Sequence, residues 1–125
     1  MGKGYLIDTN VIIDYAAGRL PIGGQALIAK LINAQPVISV ISKIELLGFK
    51  DVPETIVEFV SISEVLLLED NVIGQTIELR KSNRMKLPDA IIAATAITHD
   101  LILVTRNEKD FAGIGGFQVV NPHQI

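Results

Sequence analysis

An α/β layered domain, with a mostly parallel sheet of four to five strands flanked by helices, is the fold class that three features of this sequence predict. Short runs rich in β-branched residues alternate with stretches whose apolar residues recur at helical spacing. The run Leu101–Thr105 is apolar up to its last residue, as a strand covered on both faces must be. The chain has 125 residues, 49% of them hydrophobic, which suits one compact domain with a buried core.

Taken in order, Tyr5–Asp8 reads as a short buried strand ending in the polar Asp8-Thr9-Asn10, residues that favour a turn or a helix cap. Val11–Ala17 reads as a helix closed by Gly18, and Gly23-Gly24 opens a second helix with Leu27, Ile28, Leu31 and Ile32 at helical spacing. Val37–Ile41 is a β-branched second strand and Ser42–Leu47 a short helix. Pro53 begins a helix over Glu54–Phe59, and Ser63–Leu68 is a third strand. Glu69–Ser82 is an amphipathic helix with Val72, Ile73, Thr76 and Ile77 on one side. A basic loop, Arg80–Lys86, leads to a helix that starts at Pro88-Asp89 and runs to about His99. Leu101–Thr105 is the fourth strand and Phe117–Val120 a fifth at an edge. No repeat, linker or low-complexity tract divides the chain, so residues 1–125 form a single domain.

Composition excludes several functions. Without cysteine there are no disulfides, Cys-zinc sites or thiol nucleophiles, in keeping with a reducing cytoplasmic setting. Met1–Tyr5 is too short and polar for a targeting segment, and Ala90–Ile97 falls far below the ~20 residues that span a bilayer; no membrane role is expected. The net charge of −3 rules out nucleic-acid binding by bulk electrostatics, so any such contact needs a local patch.

The chemistry-bearing residues are Asp8 after the first strand, Glu45 after the second, Asp89 at the start of the long helix, and Asn107 and Asp110 after the fourth strand. Open parallel sheets bind ligands outside the carboxyl ends of their strands, where these residues are expected to meet. Two like charges ~4 Å apart repel by about 4 kcal/mol at an effective dielectric of 20, and a divalent cation cancels that cost. Oxygen donors without Cys or a His pair suit Mg²⁺ or Mn²⁺, ions that can acidify a water and stabilise charge on phosphorus. Each acid also has a plain structural role. Asp8 can cap the following helix, Ser42-x-x-Glu45 has the capping-box pattern, Asp89 suits a helix N-terminus, and Asp110 can cap a turn.

Four segments carry a resemblance. Tyr5-Leu6-Ile7-Asp8-Thr9-Asn10-Val11 resembles the opening of PIN domains, and Val40-Ile41-Ser42-Lys43-Ile44-Glu45-Leu46 their second acidic motif. Leu87-Pro88-Asp89-Ala90-Ile91-Ile92-Ala93-Ala94-Thr95-Ala96, the most specific, resembles the third; Leu103-Val104-Thr105-Arg106-Asn107-Glu108-Lys109-Asp110-Phe111 resembles the fourth. The order and spacing match across nearly the whole chain, in the manner of VapC-like toxins of type II toxin–antitoxin pairs. The resemblance implies a three-layer PIN-like domain and a Mg²⁺- or Mn²⁺-dependent endoribonuclease. It implies that Asp8, Glu45 and Asp89 hold the metal, with Glu45 positioning or deprotonating the attacking water. Either Asn107 or Asp110 completes the site, while Thr9 and Thr105 serve as supporting hydroxyls. The products would be a 5′-phosphate and a 3′-hydroxyl. It further implies an RNA substrate, a VapB-like antitoxin that can insert an Arg or Lys among the acids, and a homodimer for which the apolar first helices offer a face.

Arg80, Lys81, Arg84 and Lys86 place four cations just before Asp89; they read equally as a grip on RNA phosphates and as a solvated helix end. His99 and His123 are expected at the surface or in turns, and Gly113, Gly115 and Gly116 in a flexible turn. Tyr5, Phe49, Phe59, Phe111 and Phe117 are expected in the core. Three rivals are weighed against the nuclease. A haloacid-dehalogenase-like phosphatase wants an acid where Asn10 stands. A phosphoacceptor receiver domain wants an acidic neighbour for Asp8 and a late Lys. A binding-only PIN domain, for RNA or protein, is favoured only by the neutral Asn107.

Overall fold

The computed structural model describes residues 3–125, so the first two residues of the stretch weighed as a targeting segment lie outside it. Among the described residues are five strands and six helices, the helices following the first three strands in pairs: β1 Tyr5–Ile7, α1 Thr9–Ala16, α2 Ile22–Ala34, β2 Val37–Ser39, α3 Val40–Leu47, α4 Glu54–Ile62, β3 Glu64–Leu66, α5 Asp70–Ser82, α6 Leu87–Thr98, β4 Ile102–Val104 and β5 Val119–Val120. Short 3₁₀ turns cover Glu108–Phe111 and Pro122–Gln124. The α/β class is borne out. Every strand pairing is parallel: β1 with β4, β4 with β5, and β2 with β3. The expected continuous sheet is instead two ladders, β1-β4-β5 and β2-β3, with β1 and β2 side by side but not laddered. As expected, β5 lies at the edge.

Each strand is shorter than the pattern predicts, and after β1 and β2 the reason is a helix that begins within two residues of the strand's end. Asp8 caps α1 by accepting the Thr9 N–H, so the helix starts two residues earlier than Val11. Ser39 caps α3 by accepting the Ile41 N–H at 3.1 Å. Val40 and Ile41 therefore belong to that helix rather than to the second strand, and Ser42 with Glu45 is interior to it, not a capping box. Gly18, past α1, takes the left-handed φ of +70° that favours glycine.

The pleat sends alternate residues to opposite faces. Leu6 and Leu103, paired in register, join one core with Val72, Leu79, Ile92 and Phe111 under α5 and α6. Ile7 and Val104, the next pair, join the other core with Val11, Ile28, Ile56 and Phe59 under α1, α2 and α4. Helices thus cover both faces, giving three layers. Helix α6 is buried continuously from Ala90 to Ala96, and its alanines let α5 and the sheet approach closely. In α5 the inward residues are Val72, Thr76 and Leu79. Ile73 and Ile77, expected on that inward face, are 39% and 49% exposed. Phe49, expected in the core, lies in the segment after α3 and is 47% exposed.

The C-terminal segment folds back over the start of α2. A Cβ at Gly24 would sit 2.0 Å from the Pro122 carbonyl oxygen, so only glycine lets the two backbones come so close. No helix among the described residues is long and apolar enough to cross a membrane.

Candidate active site

The site grows from the carboxyl ends of β1 and β4, where parallel pairing sets Ile7 beside Val104 and brings Asp8 next to Thr105. Asp8 is buried, and both of its oxygens are held. Oδ1 accepts the Thr9 N–H at 2.8 Å, and Oδ2 accepts the Thr105 hydroxyl at 2.8 Å and the Asn10 amide at 3.3 Å. The Thr105 hydroxyl is fully used. Its one proton goes to Asp8, while its oxygen takes the Asn107 N–H at 3.1 Å and the Asn10 amide at 3.4 Å.

Glu45 reaches the same place from α3. Its Oε1 lies 2.6 Å from Thr9 Oγ1, which also lies 2.9 Å from Ser42 Oγ. A hydroxyl has one proton, so Thr9 donates to the carboxylate and Ser42, wholly buried, donates to Thr9. The Glu45 side chain is exposed beyond that contact.

Asp89 stands in the first turn of α6, partly buried. Electrostatics tie it to the other acids. Burial pushes the Asp8 carboxyl above its ordinary 3.8, and the charges of Asp89 and Glu45 push further, against the hydrogen bonds from Thr105 and Thr9. The Asp89 carboxyl is also raised, by burial first, then by Asp110, and by Glu45, while Lys86 pulls it down. Asp89 is thus raised by Asp110 and Glu45 and in turn raises Asp8.

Asp110 comes to this edge on the 3₁₀ turn after β4. With Asp89 it lines a cleft of about 370 Å³ whose walls also carry Arg84, Lys86 and Lys109. Asn107 is exposed and engaged through its main chain, its N–H on Thr105 and its carbonyl accepting the Asp110 N–H at 3.0 Å. Arg80 and Lys81 sit in the last turn of α5 rather than in a loop, and with Arg84 they line a shallower groove next door.

Among the described residues, no three acidic or histidine side chains are gathered tightly enough to enclose an ion unaided. The donor chemistry nonetheless fits a hard divalent cation: Asp8, Glu45 and Asp89 offer only oxygen, and two of them are pushed toward protonation by burial and mutual repulsion.

Sequence reasoning missed Asn10, Ser42 and Lys109 as site residues. Asn10 and Ser42 lie inside the acidic motifs themselves, and Lys109 is one residue from Asp110. It also missed a cluster of charged partners around one buried carboxylate behind the site. Asp14, 1% exposed, meets Arg106 and His123, and His123, in a turn as expected, is thereby tied to a buried carboxylate. His99 does end its helix in a turn, but its Nε2 is buried without a hydrogen-bond partner.

A PIN domain family model matches residues 5–116. Among solved structures, a chain of a toxin–antitoxin complex from Klebsiella pneumoniae is 36% identical, with 98% of this chain and 100% of that one covered and a TM-score of 0.74. A chain of DNA-bound VapBC from Salmonella typhimurium is 26% identical, with 95% and 98% covered and a TM-score of 0.74. At 24% identity, a chain of VapBC2 from Rickettsia felis bound to a DNA fragment from their promoter shares the fold, with 94% and 97% covered and a TM-score of 0.76. No curated protein sequence matches the chain. The expected resemblance to PIN domains of the VapC-like kind is borne out.

Proposed function

Because this chain belongs to the PIN domain family, we propose that it is a Mg²⁺- or Mn²⁺-dependent endoribonuclease and the toxin of a VapBC-like pair. The observation that carries the reading is the mutual charge of Asp8, Glu45 and Asp89, with Asp8 and Asp89 raised above the ordinary carboxylate range at one edge of a parallel sheet. A structural role for each acid alone leaves that convergence unexplained.

Asp8, Glu45 and Asp89 would hold the ion, with Asp110 beside Asp89 completing the negative pole. When bound, the ion supplies Lewis-acid stabilisation of charge developing on the phosphoryl oxygens. The chain's own groups do the rest. Asp8 is held in one orientation by Thr9, Asn10 and Thr105. Glu45, exposed and steadied by Thr9, is the group that takes the proton of the attacking water. The water oxygen forms the new bond to phosphorus, and the bond to the 3′ oxygen breaks. That oxygen takes a proton from solvent, leaving a 5′-phosphate and a 3′-hydroxyl. Arg84, Lys86 and Lys109 form a cationic wall beside Asp89 that suits the phosphates of a neighbouring nucleotide; Arg80 and Lys81 extend it.

The likeness to chains of toxin–antitoxin complexes supports an antitoxin partner. A groove of about 480 Å³ between α1, α2 and α4, walled by Ile12, Tyr15, Ala16, Ile32, Phe59 and Ile62, offers an apolar seat for an amphipathic helix. The exposed Ile73 and Ile77 of α5 and Ile44 of α3 are available to a homodimer contact, which sedimentation across a concentration series tests.

The test is to incubate the purified protein with a cellular RNA pool and Mg²⁺ and to map the fragment ends. A small set of cuts bearing 5′-phosphates supports the reading and names the substrate. RNA retained on the protein but uncut would favour a binding-only PIN module.

A further inference from the structure

We propose that Arg106 is a positioning residue for the candidate site, acting through a buried anchor, Asp14, that lies outside the acidic motifs. The inference rests on the metal-nuclease reading above and concerns how Asp8 is kept in place.

Asp14 follows Asp8 by six residues on α1, and its carboxylate is almost wholly buried. A buried carboxylate needs charge partners, and this one has them. Arg106 Nη1 lies 3.1 Å from both oxygens, His123 Nε2 lies 2.8 Å from Oδ2, and Arg19 lies 3.8 Å from Oδ1. Arg106 sits between Thr105 and Asn107. Its main-chain N–H donates to Asn10 Oδ1 at 3.0 Å, and its carbonyl accepts from the Asn121 amide at 3.4 Å.

The consequence follows from these bonds. The Asn10 side chain is gripped at its oxygen by the Arg106 main chain and points its amide at Asp8. Thr105, one residue earlier, carries the hydroxyl that holds Asp8 Oδ2. Pinning the Arg106 guanidinium to Asp14 therefore fixes the start of the turn after β4 and, with it, two of the three donors on Asp8. Groups that orient a ligating side chain from behind typically govern metal affinity by 10- to 100-fold.

Three variants test this: Arg106→Ala, Arg106→Lys and Asp14→Asn. The first readout uses metal-free protein. Amide exchange at Asn107, whose N–H donates to Thr105 Oγ1, is expected to speed up about tenfold or more in Arg106→Ala while the global melting transition stays cooperative. The second is Mn²⁺ affinity, read as free Mn²⁺ by electron paramagnetic resonance, expected to weaken by roughly tenfold or more and to recover in part in Arg106→Lys. Asp14→Asn is expected to reproduce the Arg106→Ala effect, and the double variant not to add to it. Unchanged Asn107 exchange and Mn²⁺ affinity in Arg106→Ala, with only the KM for RNA raised, would make Arg106 a phosphate contact and overturn the proposal. A lowered melting temperature with both readouts unchanged would make it a packing residue and overturn it equally. If wild type itself binds no Mn²⁺, the metal-site reading fails. The exchange data then still decide whether Arg106 holds the turn.

Discussion

Thr105 gives its only hydroxyl proton to Asp8 Oδ2 at 2.8 Å, joining β4 to β1 across 97 positions of sequence. Thr105 is fully buried, and its oxygen accepts two further N–H groups. Thr105→Val preserves the shape and removes all three bonds. Hydrogen bonds to charged groups contribute about 1.5–3 kcal/mol each. Turnover on RNA is therefore expected to fall by roughly 10- to 100-fold, with Thr105→Ser largely restoring it. Single-turnover cleavage rates check this.

Thr9 plays the matching part for Glu45, at 2.6 Å. Its loss frees an exposed side chain to rotate away from the water it is assigned to deprotonate. Thr9→Val is expected to lower kcat by about tenfold, consistent with one hydrogen bond to a charged group, and to leave KM for RNA nearly unchanged; Thr9→Ser should behave like wild type. A change confined to KM would remove Glu45 from the proton-transfer role.

The raised Asp8 and Asp89 carboxyls set a pH dependence whose sign can be derived. In metal-free protein the folded chain holds on to protons that the unfolded chain, titrating near 3.8, has already lost. Stability is therefore fully present below 3.8 and is lost as pH rises through the raised folded values. Asp8→Asn removes the larger burial cost. The wild-type melting temperature in EDTA, less that of Asp8→Asn, is expected to decline as pH rises through this range. Mn²⁺ affinity should run the other way, strengthening with pH until both carboxylates are ionised.

The cations beside Asp89 are expected to act on substrate affinity rather than on chemistry. Each phosphate contact on a single strand contributes about 0.7 to the slope of log affinity against log salt. Replacing Arg84, Lys86 and Lys109 with alanine should weaken RNA binding broadly across sequences and flatten the slope by about 2 in total. Filter binding across a salt series measures both.

Legibility in the sequence followed the range of the interactions. Asp8 was readable because it ends the hydrophobic run of β1, Asp89 because it opens the apolar run of α6, and Glu45 because it closely follows the β-branched run of β2. The alternation of elements likewise gave the parallel class. Boundaries were misjudged where a polar side chain overrode an apolar pattern, as when the Ser39 cap claimed Val40 and Ile41 for α3. The inward face of α5 was misassigned because Ile73 and Ile77 share the apolar character of Val72 but stay exposed, and periodicity alone does not say which apolar residue faces the core. Asp14, Arg106 and His123 were invisible for a different reason. Arg106 reaches Asp14 because β4 pairs with β1, and His123 because the C-terminal segment returns over Gly24, contacts between distant parts of the chain with no local signature.

The central claim is that the converging acids make a metal-dependent nuclease, and Asp89 is the acid raised by Asp110 and Glu45 that in turn raises Asp8. The most direct test is the cleavage of RNA by wild type and Asp89→Asn, each with Mn²⁺ and with EDTA, after matching their melting temperatures. The account predicts cutting by wild type with Mn²⁺ alone and a loss of at least 100-fold in the variant, about 2.7 kcal/mol of transition-state stabilisation. Equal cutting by the two proteins, or cutting that survives EDTA, would contradict it.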